Sequence, residues 1–267
     1  MTIGPPLRRL GAAVLVVAAV PLWSQTPPDL GAFLDGVAAR LAATAAYKNW
    51  TAAAVQTITE TDRNGRPEKV TVVTKTVQVT DGRRREEVLK ALETEDGKTK
   101  DITSQYTAQA RDRREQEGRR RSEEDRGPRS GRPEGRRGGR MDLDELLPFS
   151  PERRPNFRFD IRETADPTGR RLVLLDVKAK TRDQRNWEGT YTIDPAAFDI
   201  LRAEIRPSKM PRMVKELSVE ADVEVLDGKY FVLKRTRFKV NGGFLFIKRV
   251  RMTVEEVYSD VRILDGT

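Results

Sequence analysis

Residues 215–254 read KELSVEADVEVLDGKYFVLKRTRFKVNGGFLFIKRVRMTV. Leu217, Val219, Ala221, Val223 and Val225 alternate with Glu216, Ser218, Glu220, Asp222 and Glu224. Such period-two patterning puts one face of a strand in a core and the other in water. Asp227-Gly228 is a hairpin signal, because both positions of a tight turn favour positive φ. A two-residue turn there sets Glu220 opposite Arg235, Glu216 opposite Lys239, Val223 opposite Val232 and Leu217 opposite Phe238. Opposite charges then meet on the wet face and apolar residues on the other. A slip of one residue would spoil both patterns. The next reversal is read at Asn241-Gly242-Gly243, as a three-residue loop with a Gly bulge. That length keeps Phe244, Phe246, Val250, Met252 and Val254 on the apolar face with Phe238 and Val240. The expectation is a meander with one continuous apolar face.

Working outward, the same β signals recur on both sides. Upstream strands are read at Phe157–Ile161, Leu172–Val177, Trp187–Ile193 and Ile200–Ile205, and the stretch to Ile263 reads as one or two more. Trp50–Thr61 and Val70–Val79 form an N-terminal meander, with hairpin signals at Asn64-Gly65, Asp81-Gly82 and Asp96-Gly97. One long helix stands out, Asp29–Ala46. Leu30, Phe33, Leu34, Val37 and Leu41 recur on one helical face, and Asp29 is the N-cap. Met141–Phe149 reads as a short amphipathic helix. About ten or eleven strands with so few helices make a mainly β protein with a wide curved antiparallel sheet. Its apolar face needs a cover: a second sheet layer, a partner protein or a bound apolar ligand.

Composition narrows the chemistry. The 267 residues contain no Cys and no His, which removes Cys nucleophiles, His-based acid–base catalysis and nearly all zinc or haem sites. No cofactor, metal site or catalytic residue is expected. Asp142, Asp144 and Glu145 read as a helix start, and Glu123, Glu124 and Asp125 as part of a charged run. Residues 1–24 carry Arg8 and Arg9, then the apolar run Leu10–Val20, and read as a signal peptide. Residues 25–267 read as a single domain, interrupted at 111–140. That interruption holds 12 Arg and 7 acidic residues with no apolar side chain, so it is expected to be disordered. It carries more than half of the net charge of +9. The high charge therefore belongs to one insertion rather than to a basic face. The interleaved acids and the lack of aromatics argue against nucleic acid as a partner.

The order of these elements resembles the LolA/LolB-like superfamily of outer-membrane lipoprotein carriers. The resemblance lies in Trp187-Glu188-Gly189-Thr190-Tyr191-Thr192-Ile193-Asp194-Pro195, in Leu201-Arg202-Ala203-Glu204, and in Val257-Tyr258-Ser259-Asp260-Val261. It covers roughly residues 29–110 and 141–263, and the Arg-rich insertion departs from it. It implies an unclosed half-barrel with helices on its concave face, a periplasmic location in a Gram-negative-type bacterium, and a non-catalytic protein that holds acyl chains.

On that reading the ligand cavity is lined by Phe157, Phe159, Leu217, Val219, Phe238, Phe244 and Phe246, with Leu34 and Val37 of the first helix. Leu143, Leu146, Leu147, Met210 and Met213 are candidates for a lid or mouth. Expected partners are a lipid or acylated lipoprotein, a membrane-protein partner and a peripheral membrane contact. Two alternatives stand beside the carrier. One is an envelope-stress sensor of the same fold that binds a regulatory protein. The other is polyanion or lipid-headgroup binding through the Arg-rich loop.

Overall fold

The structure, a computed structural model, describes residues 29–44, 49–80, 83–112, 116, 147–244 and 248–264. The signal-peptide reading, almost all of the Arg-rich insertion, Leu143, Leu146 and Phe246 lie outside these residues, as does the side chain of Phe244.

In chain order the elements are α1 (Leu30–Thr44), β1 (Trp50–Thr61), β2 (Pro67–Thr80), β3 (Arg83–Glu95), β4 (Lys98–Asp101), α2 (residues 103–112), β5 (Phe157–Ala165), β6 (Arg171–Ala179), β7 (Trp187–Asp194), β8 (Asp199–Pro207), β9 (Val214–Leu226), β10 (Tyr230–Phe244) and β11 (Lys248–Ile263). All eleven strands form one antiparallel sheet, ordered β4-β3-β2-β1-β11-β10-β9-β8-β7-β6-β5. Two meanders meet where β1 pairs with β11. The sheet does not close, and β4 and β5 are its free edges. β4 is fully exposed and reads Lys-Thr-Lys-Asp, a short charged edge that resists pairing with another chain.

Both helices lie on the same face. α1 is capped by Asp29, whose carboxylate accepts the Gly31 N–H at 2.8 Å. Phe33, Leu34 and Val37 then pack on β5–β8, while Leu30 stays exposed. Arg154 fastens α1 from outside, donating to the Leu34 carbonyl (2.8 Å), the Asp35 carboxylate (2.5 Å) and the Phe149 carbonyl (2.8 Å). Arg40 donates to Asp199 (2.6 Å) and to the Gly228 carbonyl (2.7 Å). α2 was not visible as a helix in the sequence. It starts at an Asp101 cap on the Thr103 N–H (2.9 Å), and Ile102 and Tyr106 pack on Val73, Val88 and Ala91 of β2 and β3.

The β9–β10 hairpin differs from its expected register. Asp227 and Gly228 do adopt positive φ (52° and 64°), and the Lys229 N–H donates to the Leu226 carbonyl at 3.0 Å. The ladder, however, begins with Tyr230 opposite Leu226, and Lys234 is then bulged out between Leu233 and Arg235. Two single shifts restore the faces, because a shift of two preserves the side-chain alternation. Beyond the bulge Val219 therefore faces Phe238, Leu217 faces Val240, Glu220 faces Arg237 and Glu216 faces Asn241, whereas before it, one shift from the expected register, Val223 faces Leu233. The next reversal also falls later than read. β10 continues through Asn241-Gly242-Gly243 to Phe244, which is opposite Lys248. Val240 still faces Met252 and Phe238 faces Val254, so the continuous apolar face stands.

The convex face is wet, and acids of β9 and β11 meet cations of β10 there. Glu220 meets Lys239 (2.9 Å) and Arg237 (3.5 Å), Asp222 meets Arg235 (2.7 Å), and Glu255 meets Arg237 (2.9 Å). The Lys239 hydrogen bond holds the Glu220 carboxyl below its usual range, against a smaller opposing effect of burial.

Candidate functional site

The concave face has three parts. Under α1, strands β5–β8 form a sealed core. Tyr191, Leu175, Val173, Ile193 and Val37 are fully buried there, and the Tyr191 and Phe149 rings meet edge-on at 5.0 Å. This packing depends on two glycines. A Cβ on Gly189 would sit 2.0 Å from the Glu204 carbonyl oxygen of β8, and one on Gly36 would sit 2.6 Å from the Phe198 ring. Burial pushes the Tyr191 hydroxyl upward, and it has no hydrogen-bond partner among the described residues.

The second part is open. Val219, Phe238, Val254 and Ile58 are direct cross-strand neighbours on β9, β10, β11 and β1. Leu217, Val240 and Met252 form the adjacent row. α1 and α2 pack on either side of these seven residues. Phe238, at the centre, is 41% exposed, and its row neighbours are only half-buried. Four strands at about 4.8 Å spacing make this strip about 14 Å across.

The third part is a charged cluster beside the strip. Lys75 of β2 is 2% exposed and reaches Glu86 (2.9 Å), Glu256 (3.0 Å) and the Gln56 amide oxygen (3.3 Å). Arg84 reaches Glu256 (2.6 Å), Glu86 (2.6 Å) and the Tyr258 hydroxyl (2.9 Å). Burial alone would lower the Arg84 pKa, but Tyr258, Glu256 and Glu86 around it raise it overall. Burial likewise opposes ionisation of Glu86, yet Arg84 and Lys75 hold its carboxyl below the usual range. Two cations and two carboxylates balance, so the cluster is neutral and its burial is tolerable. Among the described residues no group of three or more acidic side chains is placed to hold a metal ion.

The residues named from sequence divide between these parts. Leu34, Val37 and Phe157 belong to the sealed core rather than to an open surface, and Phe159 and Leu147 pack against it. Leu217 and Val219 bridge from that core to the strip, and Phe238 is the strip's centre. Met210 and Met213 sit on the β8–β9 loop, Met213 exposed. Sequence reasoning missed Ile58 and the Lys75 cluster. Ile58 lies in a Thr-rich strand, and the cluster joins residues from four strands that only the β1–β11 pairing brings together.

No family model matches the chain, and no curated protein matches it. Solved structures with a partial likeness to the chain do exist. One is an outer membrane lipoprotein-sorting protein domain from Vibrio parahaemolyticus, at 12% identity and TM-score 0.36, covering 88% of this chain and 93% of that one. Another is a DUF1329 family protein from Desulfovibrio piger, at 10% identity and TM-score 0.35, covering 89% and 94%. A third is a LolA superfamily protein from Nitrosomonas europaea, at 8% identity and TM-score 0.35, covering 89% and 94%. At such identities they transfer no residue role, and the geometry above carries the functional reading.

Proposed function

We propose that the protein is an exported, non-catalytic binder or carrier of an acylated ligand, held on the open strip of the concave face. The observation that supports this most is Phe238, a large apolar side chain left 41% exposed at the centre of a registered apolar patch between two helices. An acyl chain laid along the strip would leave water there. About ten methylenes at about 0.8 kcal/mol each give about 8 kcal/mol. Loss of translational freedom subtracts from that, so affinity for a single chain is expected near micromolar or weaker. The neutral cluster of Lys75, Arg84, Glu86 and Glu256 flanks the strip and is a polar neighbour to the chain, so the polar end of the ligand is expected on that side. Nothing in this mechanism needs a nucleophile or a proton carrier.

The test is native mass spectrometry on protein isolated from its own cell envelope, followed by organic extraction. A bound lipid or acylated peptide is expected, displaced in Phe238→Asp. A bare protein that also refuses fluorescent acyl probes would overturn the proposal.

A further inference from the structure

Charge is handled in opposite ways in two regions. On the convex face Arg202 of β8 and Arg235, Arg237 and Lys239 of β10 are matched by acids of β9 and β11. At the end of the sheet where β6 joins β7 and β8 joins β9, the cations are not. Arg182, Arg185, Lys209 and Arg212 are exposed, and their side chains have no partner among the described residues. Arg206 adds a fifth cation, only loosely matched by Glu188 at 3.6 Å. Asp183 accepts the Arg185 N–H (2.8 Å) and keeps its charge, but the five cations outnumber Asp183 and Glu188, so these loops stay net positive.

Hydrogen bonds tie these two loops into one platform. The Ser208 N–H donates to the Asn186 carbonyl at 2.7 Å, and the Ser208 hydroxyl donates to the Asp183 carbonyl at 2.9 Å. The Asp183 N–H donates back to Ser208 Oγ at 3.0 Å, and Arg153 donates to the Arg185 carbonyl at 3.1 Å. A pocket of about 330 Å³ opens between the loops, lined by Arg182, Glu188, Arg206, Ser208, Lys209 and Met210. Beside it Met213 is 42% exposed, with φ 74°, a left-handed conformation that non-glycine residues rarely hold. A turn from the Val214 N–H to the Pro211 carbonyl (3.0 Å) fixes it there. Strain of this kind persists where the surroundings impose it, and here it accompanies an apolar side chain in water among cations.

Unpaired cations around an unbranched, exposed apolar side chain are the chemistry of a surface that meets anionic headgroups and enters the interface beneath them. We propose that this end of the sheet docks on an anionic lipid bilayer, with Arg182, Arg185, Lys209 and Arg212 on lipid phosphates and Met213 at the interface. No exposed aromatic side chain accompanies the cations among the described residues of these loops, which disfavours a single-stranded nucleic acid. This surface is separate from the acyl strip, and each proposal stands without the other.

The test uses the full chain with vesicles of phosphatidylcholine, alone or mixed with phosphatidylglycerol. Arg182→Glu/Lys209→Glu/Arg212→Glu reverses the platform. Arg85→Glu/Lys229→Glu/Lys234→Glu makes the same change in net charge at the opposite end of the sheet. The first variant is expected to lose about tenfold or more in affinity for the anionic vesicles, and the second less than about threefold. The chain has no cysteine, so Met213→Cys can carry a single environment-sensitive dye. Its emission should shift to the blue on anionic vesicles only, while the dye on Leu89→Cys should not respond. Equal losses in the two variants, or equal binding to uncharged vesicles, would overturn the proposal. So would platform-dependent binding to heparin with no dye shift on vesicles, which would point to a soluble polyanion.

Discussion

Strands β5–β8 and strands β9, β10 and β11 carry a similar alternating pattern on the concave face, yet one group is sealed and the other open. The difference is not in the strands. It lies in α1, whose Phe33, Leu34 and Val37 descend on β5–β8, and in the two arginines that fasten it there. The lesson is that alternation marks a face as apolar without saying what covers it. A core and a binding surface are written in the same letters until a helix is placed.

The contrast can be broken most severely from the sealed side. Leu175→Ala, fully buried, is expected to cost about 3–4 kcal/mol in chemical denaturation, whereas Phe238→Ser on the strip should cost under about 1 kcal/mol. Similar costs at the two positions would mean that the strip is also core.

Next in size is the charged cluster. Glu256→Gln leaves buried Lys75 with one carboxylate fewer and should cost about 3 kcal/mol, while Glu220→Gln on the convex face should cost under about 1 kcal/mol. The cluster also sets a pH response. Glu86 titrates below its ordinary 4.5 in the folded protein. A depressed carboxyl stabilises the fold above its unfolded pKa and loses that contribution as pH falls through the folded value. Stability should therefore drop below about pH 4.5, and Glu86→Gln should flatten that slope in a urea titration series.

The smallest expected change has the opposite sign. Tyr191→Phe removes an unpartnered hydroxyl from the sealed core and should stabilise by about 1 kcal/mol, read as a raised Tm. A loss of similar size would show that the hydroxyl has a polar partner.

Much of this was legible in the residues. The alternation in β9, the Asp-Gly turns and the spacing of Phe33, Leu34 and Val37 specify strands, reversals and a helix locally. The register of β10 was not, because the Lys234 bulge has no sequence mark: Lys234 follows Leu233 as any surface lysine might. The reversal after β10 was misplaced because Asn241-Gly242-Gly243 is a strong turn signal that the ladder overrides. Gly242 lies where a Cβ would come within 3.0 Å of the Met213 carbonyl oxygen, so a glycine suits this strand position too. Phe238 was named as a cavity residue together with Val37 and Phe157, and nothing in sequence separates the first from the other two. Lys75 reads as a surface lysine, and only the pairing of β1 with β11 brings Glu256 to it.

The central claim is that the strip, and not the sealed core, receives an acyl chain. A photoreactive diazirine fatty acid, cross-linked to the full protein and mapped by peptide mass spectrometry, tests it directly. The account expects adducts on Ile58, Phe238, Met252 and Val254, reduced by competing unlabelled fatty acid. Adducts centred on Val37, Leu175 or Tyr191, or none above background, would contradict it.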